Sequence, residues 1–161
     1  MQLPRAPLGR DLVRRGVLSG RDAALAELVQ ARCDTSLDRI LLSEGLAEEG
    51  DLLDAHARRL SARRVDAGVL AALPPVETGL DPRVLLRHGA LVLRDEAGAP
   101  RIANDGAQPL GPLRAALPGD LAAARGLVAP RATVQDRIAA LHRDTLRDMA
   151  AARTAESESC R

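Results

Sequence analysis

The chain predicts an α+β fold: an N-terminal duplicated helix-turn-helix of four short helices, then a small α/β subdomain with a β-hairpin and a long C-terminal helix. Three observations lead there. First, the stretch Leu8 to Gln30 (LGRDLVRRGVLSGRDAALAELVQ) partly returns 29 positions further on: Leu8, Arg10, Leu12, Val13, Gly16, Val17 and Asp22 are answered by Leu37, Arg39, Leu41, Leu42, Gly45, Leu46 and Asp51. Second, each copy has the same order of apolar residues at helical spacing, a glycine stop, two apolar residues, a capping position and a second helical run. Third, beyond Ser61 prolines arrive regularly and apolar runs shorten to strand length, as in ALVLRD and RIAN on either side of EAGAP. These features divide the chain into a duplicated helical repeat (1–60), a small α+β subdomain (61–150) and a disordered tail or linker (151–161).

Taken in order, residues 1–7 (MQLPRAP) hold two prolines and no periodicity, and read as an extended arm. Leu8 to Arg15 is a short helix that Gly16 ends, since glycine accepts the left-handed conformation of a C-cap. Ser19 caps a second helix to about Ala31, with Leu25, Leu28 and Val29 expected to turn inward. The second copy predicts a helix over Ser36 to Glu44, stopped by Gly45, and another from Glu48 to about Leu60. ARRVDA reads as a short strand or an extended connection, and Val69 to Leu73 as one helical turn. Asp81 followed by Pro82 opens a helix through Arg87, a cap with a first-turn proline. ALVLRD and RIAN form the hairpin. Pro109 to Leu117 reads as a helix and Gly126 to Ala129 as a short strand. Thr133 to about Ala152 reads as one long helix with Val134, Ile138, Leu141 and Leu146 on one side, before the polar tail TAESESCR.

Composition narrows the functional classes. A formal net charge of +1, with Arg and carboxylates spread along the whole length, offers no single-sign field to draw DNA or an anionic membrane. All 23 basic residues are Arg, and Phe, Tyr and Trp are absent, a bias that fits a GC-rich coding background. Without aromatic rings a nucleobase cannot be stacked on one, so any base recognition would use aliphatic faces and flat guanidinium groups. Cys33 and Cys160 have neither CxxC nor Cys/His spacing, so no disulfide scaffold, metal site or cofactor is indicated, and a reducing cytosolic setting is expected. His56, His88 and His142 fall in no ligand pattern and are expected as surface or partly buried helix residues. No signal peptide or membrane span is legible. No nucleophile-base set emerges, so catalysis within this chain is not indicated; the carboxylates Glu48 and Glu49 favour a helix N-terminus.

The Leu-Gly-x-x-Leu-Val-x-x-Gly-apolar-apolar unit, repeated after about thirty residues and followed by a small α/β part with a hairpin, resembles the N-terminal domain of type II secretion and type IV pilus assembly ATPases. One branch of that family binds cyclic di-GMP through two such motifs, and the module also occurs in bacterial glycosyltransferases. The resemblance spans residues 7–150, with the repeat as its specific part. The chain has no Lys and hence no P-loop, so the ATPase motor lies outside it.

The resemblance implies that Leu8, Leu12, Val17 and Leu18 embrace one guanine, with Gly9 allowing close approach and Gln30 matching the closing glutamine. In the second copy that role falls to Leu37, Leu41, Leu46 and Ala47. Asp105, in IANDG, stands where family members carry an aspartate after the second hairpin strand, although an Asn-Asp-Gly turn accounts for it as well. The chain departs from the pattern at Pro7 and Ser36, where an arginine is usual, at Asp38 in place of the second glycine, and at Arg59 in place of the second glutamine. Arg5, Arg10 or Arg39 are the candidates to replace the missing arginine. A carboxylate at Asp38 is unfavourable beside a phosphodiester unless it points away or bonds a guanine edge.

The resulting expectation is a non-catalytic regulatory or docking module, the N-terminal segment of a larger bacterial enzyme such as a glycosyltransferase, with cyclic di-GMP as ligand. Its partners would be the catalytic or membrane domain of the parent protein or a membrane-associated protein, at the inner face of the membrane, without nucleic acid or membrane insertion. The alternative is a protein-protein interaction domain of a secretion or pilus system that has lost nucleotide binding. A DNA-binding helix-turn-helix is disfavoured, because SGRDAALAELVQ offers only Arg21 on an Ala-rich and acidic face.

Overall fold

The computed structural model describes residues 7–160; the expected arm, including Arg5, lies outside them apart from Pro7. The chain divides into two compact units, Met1–Arg64 and Val65–Arg161.

The first unit is the duplicated helix-turn-helix. Helix α1 (Leu8–Arg14) and α2 (Gly20–Arg32) form the first copy, α3 (Leu37–Ser43) and α4 (Glu49–Leu60) the second, and a two-residue strand β1 (Arg63–Arg64) follows. Local chemistry sets the ends of these helices. Ser19 Oγ accepts from Asp22 N at 3.0 Å, Ser36 Oγ accepts from Arg39 N at 3.3 Å, and Asp51 Oδ2 accepts from Glu48 N at 3.4 Å. Leu8, Leu12, Leu18, Ala23, Ala26, Ile40, Leu41, Ala47, Leu52 and Ala55 make the core, with Leu12 and Leu41 wholly buried.

Helix α2 does not bury the face expected of it. Ala23 and Ala26 point inward, whereas Leu25, Leu28 and Val29 are 55%, 51% and 37% exposed. Small side chains let α2 approach α1 and α3 closely, and those two helices cover only its alanine line.

In the second unit α5 (Ala67–Ala72) and α6 (Pro82–His88) precede the hairpin β2 (Leu91–Arg94) and β3 (Pro100–Asn104). Helices α7 (Gly111–Ala116) and α8 (Gly119–Ala122) then lead to β4 (Arg125–Val128), and α9 (Arg131–Leu141) and α10 (Arg143–Ser159) end the chain. β2 and β3 are antiparallel, with Leu91 opposite Ala103, and β4 joins β3 in parallel, with Ile102 opposite Gly126. The outer edge of β2 is paired by the proline segment, where Val76 N donates to Val92 O and Arg94 N to Pro74 O, both at 2.9 Å. Asp95 shapes the hairpin loop: its Oδ1 accepts from Ala97 N and Ala99 N, and its Oδ2 from Arg101 Nε at 2.8 Å. Leu91, Val92 and Leu93 are all buried in succession, so both faces of β2 are covered. Val134 and Ile138 of α9 complete this core with Leu70, Leu85, Ile102 and Leu113.

The chain ends in a long helix as expected, α10, but its bounds differ: His142, whose φ of −116° leaves helical geometry, separates it from α9, which keeps its apolar side on the core, while α10 has no buried residue. The tail expected to lack structure is helical to Ser159, because Ala, Arg and Glu in AARTAESES are good helix formers.

Candidate functional site

The repeat places the same elbow in both copies of the first unit. Gly16 and Gly45 stand at φ +74° and +66°, with open space around them, and turn the chain back so that the two following residues hydrogen-bond to the helix just ended. Leu12 O accepts from Val17 N at 3.0 Å and from Leu18 N at 3.4 Å; Leu41 O accepts from Leu46 N at 2.9 Å and from Ala47 N at 3.3 Å. One residue of each apolar pair, Leu18 or Ala47, enters the core and the other, Val17 or Leu46, remains half-buried.

Seven expected site residues therefore join one apolar cluster: Leu8, Leu12, Val17, Leu18, Leu37, Leu41 and Leu46. Leu12 and Leu41 are its fully buried centre, and Leu8 and Leu18 are buried, whereas Val17, Leu37 and Leu46 keep partial access to solvent. Arg10, Gln30 and Arg39 are exposed, and neither arginine side chain has a hydrogen bond or ion pair among the described residues. Asp105 belongs to the second unit, where its Oδ1 accepts from Ala107 N at 3.0 Å, the Asx turn that its Asn-Asp-Gly setting suggests.

The glycine that differs between the copies marks a matched pair of contacts. Gly9 is buried on α1, and a Cβ there would stand 2.9 Å from Glu27 Oε1 and 3.9 Å from Leu37 Cδ2. The close neighbour that Gly9 admits is thus the carboxylate of Glu27 on α2. In the second copy Asp38 replaces Gly9 and His56 stands at the position of Glu27. Asp38 Oδ2 lies 2.6 Å from His56 Nε2, and the Arg59 guanidinium lies 3.4 Å from His56 Nδ1. Each copy puts one carboxylate in this space, from α2 in the first and from α3 in the second. His56 is consequently buried at 3% exposure, contrary to its expected surface or partly buried place, because Asp38 satisfies its ring nitrogen.

A further polar contact joins the two copies, and like the Asp38–His56 pair it was not foreseen from the sequence. Arg58 Nη2 donates to Asp11 Oδ2 at 2.9 Å, and Arg15 Nε stands 3.7 Å from Asp11 Oδ1. Burial opposes ionisation of Asp11, but the hydrogen bond and charge of Arg58, with Arg15 adding to them, outweigh it and hold the carboxyl below its ordinary value. Asp11 and Arg58 are not equivalent positions in the repeat, so aligning the copies gives no sign of their pairing.

Chemically, exposed guanidinium groups can bind anions, and the partly exposed aliphatic residues of the cluster can meet flat or apolar groups. Among the described residues no three His, Cys, Asp or Glu side chains gather as a metal site, and no helix is long and apolar enough to cross a membrane.

No family model and no curated protein matches the sequence. The chain is similar in fold to solved structures. MshE with cyclic di-GMP is 26% identical with a TM-score of 0.68, over 83% of this chain and 97% of that one. The N-terminal domain of XpsE is 23% identical with a TM-score of 0.62, over 86% of this chain and 96% of that one.

Proposed function

We propose, from a fold that matches the N-terminal domain of secretion and pilus assembly ATPases, that this chain is a non-catalytic regulatory module that binds cyclic di-GMP through its repeated motif, the first copy holding its guanine more firmly than the second. The reading is carried by the likeness to MshE solved with that nucleotide, and supported by the duplicated elbow that the repeat encodes. In it Arg10 and Arg39 face the phosphodiesters, Val17, Leu37 and Leu46 lie against the guanines, and Gln30 closes the first site. Leu8, Leu12, Leu18 and Leu41 hold that surface in place from the core. Gly9 admits the ligand backbone only when the Glu27 carboxylate swings aside. Ligand binding would regulate by favouring one arrangement over another, its differential affinity being the only source of energy. The parent would be a larger bacterial enzyme, such as a glycosyltransferase or a secretion ATPase, at the cytoplasmic face of the membrane.

Calorimetric titration of the chain with cyclic di-GMP tests this: micromolar binding that Arg10→Ala weakens and Glu27→Gln strengthens is the expected result. Absence of heat at about a hundred micromolar ligand overturns it. A second reading, a protein-protein interaction domain without nucleotide, is favoured by Asp38, whose carboxylate and His56 partner occupy the second copy from within. On that reading the titration is silent while a protein partner binds.

A further inference from the structure

Helix α2 carries the largest uncovered apolar side chains of the first unit, and their arrangement is specific. Leu25 and Leu28 are 55% and 51% exposed, and Val29 flanks them at 37%. Arg21, Leu25, Leu28 and Arg32 follow one another at helical spacing on one face, opposite the buried line of Ala23 and Ala26. At 1.5 Å per residue the two arginines stand roughly 16 Å apart, one at each end of the apolar stripe. Neither has a side-chain hydrogen bond or ion pair among the described residues.

The internal repeat supplies a control for this face. The second-copy positions matching Ala24 and Leu28 are Leu53 and Ala57, and both are buried, at 4% and 9% exposure. Leu25 is matched by Asp54, which is exposed and paired with Arg64, so the exposed pair of leucines belongs to the first copy alone. The arginines belong to that copy alone as well, since Gly50 and Ser61 stand at the matching places.

We propose that this face of α2 docks an amphipathic helix of a partner protein whose apolar stripe is bracketed by acidic residues. Charge decides the occupant. A second copy of α2 would set Arg21 against Arg32 if antiparallel, and each arginine against its like if parallel; both arrangements repel. An anionic membrane gains little, because Asp22 and Glu27 leave the helix from Arg21 to Arg32 without net positive charge. A helix with carboxylates about eleven residues apart meets both guanidinium groups while covering Leu25 and Leu28. The stripe is three turns long, so the interface falls in the small, transient class.

Fluorescence anisotropy on the whole chain tests the proposal with two labelled synthetic amphipathic peptides. They share a leucine stripe, and one has Glu at both ends where the other has Lys. The Glu-ended peptide should bind in the tens of micromolar, and Leu25→Ser/Leu28→Ser should weaken it by about tenfold or more. Arg21→Glu/Arg32→Glu should transfer the preference to the Lys-ended peptide. All these substitutions are at exposed positions, and far-UV circular dichroism checks that the fold is kept. Equal binding of both peptides, binding of neither at millimolar concentration, self-association that Leu28→Ser removes, or Arg21-dependent binding to phosphatidylglycerol vesicles would each overturn it. Heat from cyclic di-GMP in the same variants reports the nucleotide reading separately.

Discussion

Removing the Asp38 carboxylate tests how the second repeat copy is held together. His56 and Asp38 have side chains only 4% and 19% exposed, so in Asp38→Ala the ring nitrogen of His56 loses its partner while remaining buried. An unsatisfied buried polar group costs about 1–3 kcal/mol, and loss of a carboxylate from the first turn of α3 adds about 0.5 kcal/mol. The sum is about 2 kcal/mol. With a urea slope of about 2 kcal/mol per molar, the midpoint should fall by about 1 M. Far-UV circular dichroism is the suitable probe, because the chain has no Phe, Tyr or Trp for fluorescence. His56→Ala and the double variant complete a cycle in which the two changes should couple by at least 1 kcal/mol, roughly. Coupling below about 0.5 kcal/mol would refute the assignment of His56 burial to Asp38.

Three other outcomes follow from the first unit. Gly16→Ala and Gly45→Ala should each cost about 1 kcal/mol in urea unfolding, since both positions have φ between +60° and +80° and nothing nearby for the new methyl group to meet. Gly9→Ala should leave stability within about 0.5 kcal/mol, because only the flexible end of Glu27 must move, yet it should weaken cyclic di-GMP in calorimetry if the ligand approaches α1 there. Arg58→Gln should destabilise by up to about 1 kcal/mol at neutral pH. The Asp11 carboxyl is held below its ordinary value in the folded chain, so its contribution is present above the unfolded value and is lost as pH falls through the folded one. The gap between Arg58→Gln and the parent chain should therefore narrow in urea titrations as pH falls below the ordinary carboxylate value of about 4.

Much of the fold was legible because it is written in local chemistry. Gly16 and Gly45, Ser19 and Ser36, and Asp81 before Pro82 each act within a few residues, and the structure has the expected helix ends at all of them. The hairpin was legible for the same reason, its loop being organised by Asp95 and a Gly98 at φ +80°. The interruption at His142 and the parallel alignment of β3 with β4 were not. Both depend on what the core can accommodate: α9 follows it with Val134 and Ile138, and α10 leaves it.

In the first unit, the sequence by itself determined the duplicated elbow and the apolar residues that pack around it, because periodicity and glycine act along the chain. Only the tertiary structure decided which of those residues reach solvent. It placed Leu12 and Leu41 at the centre of the core, set the Glu27 carboxylate against Gly9, and joined Asp38 to His56 and Asp11 to Arg58. It also turned the alanines of α2 inward and its leucines outward. Helical spacing tells which residues share a face but not how much of that face neighbouring helices cover, and here the small residues allowed the closer approach.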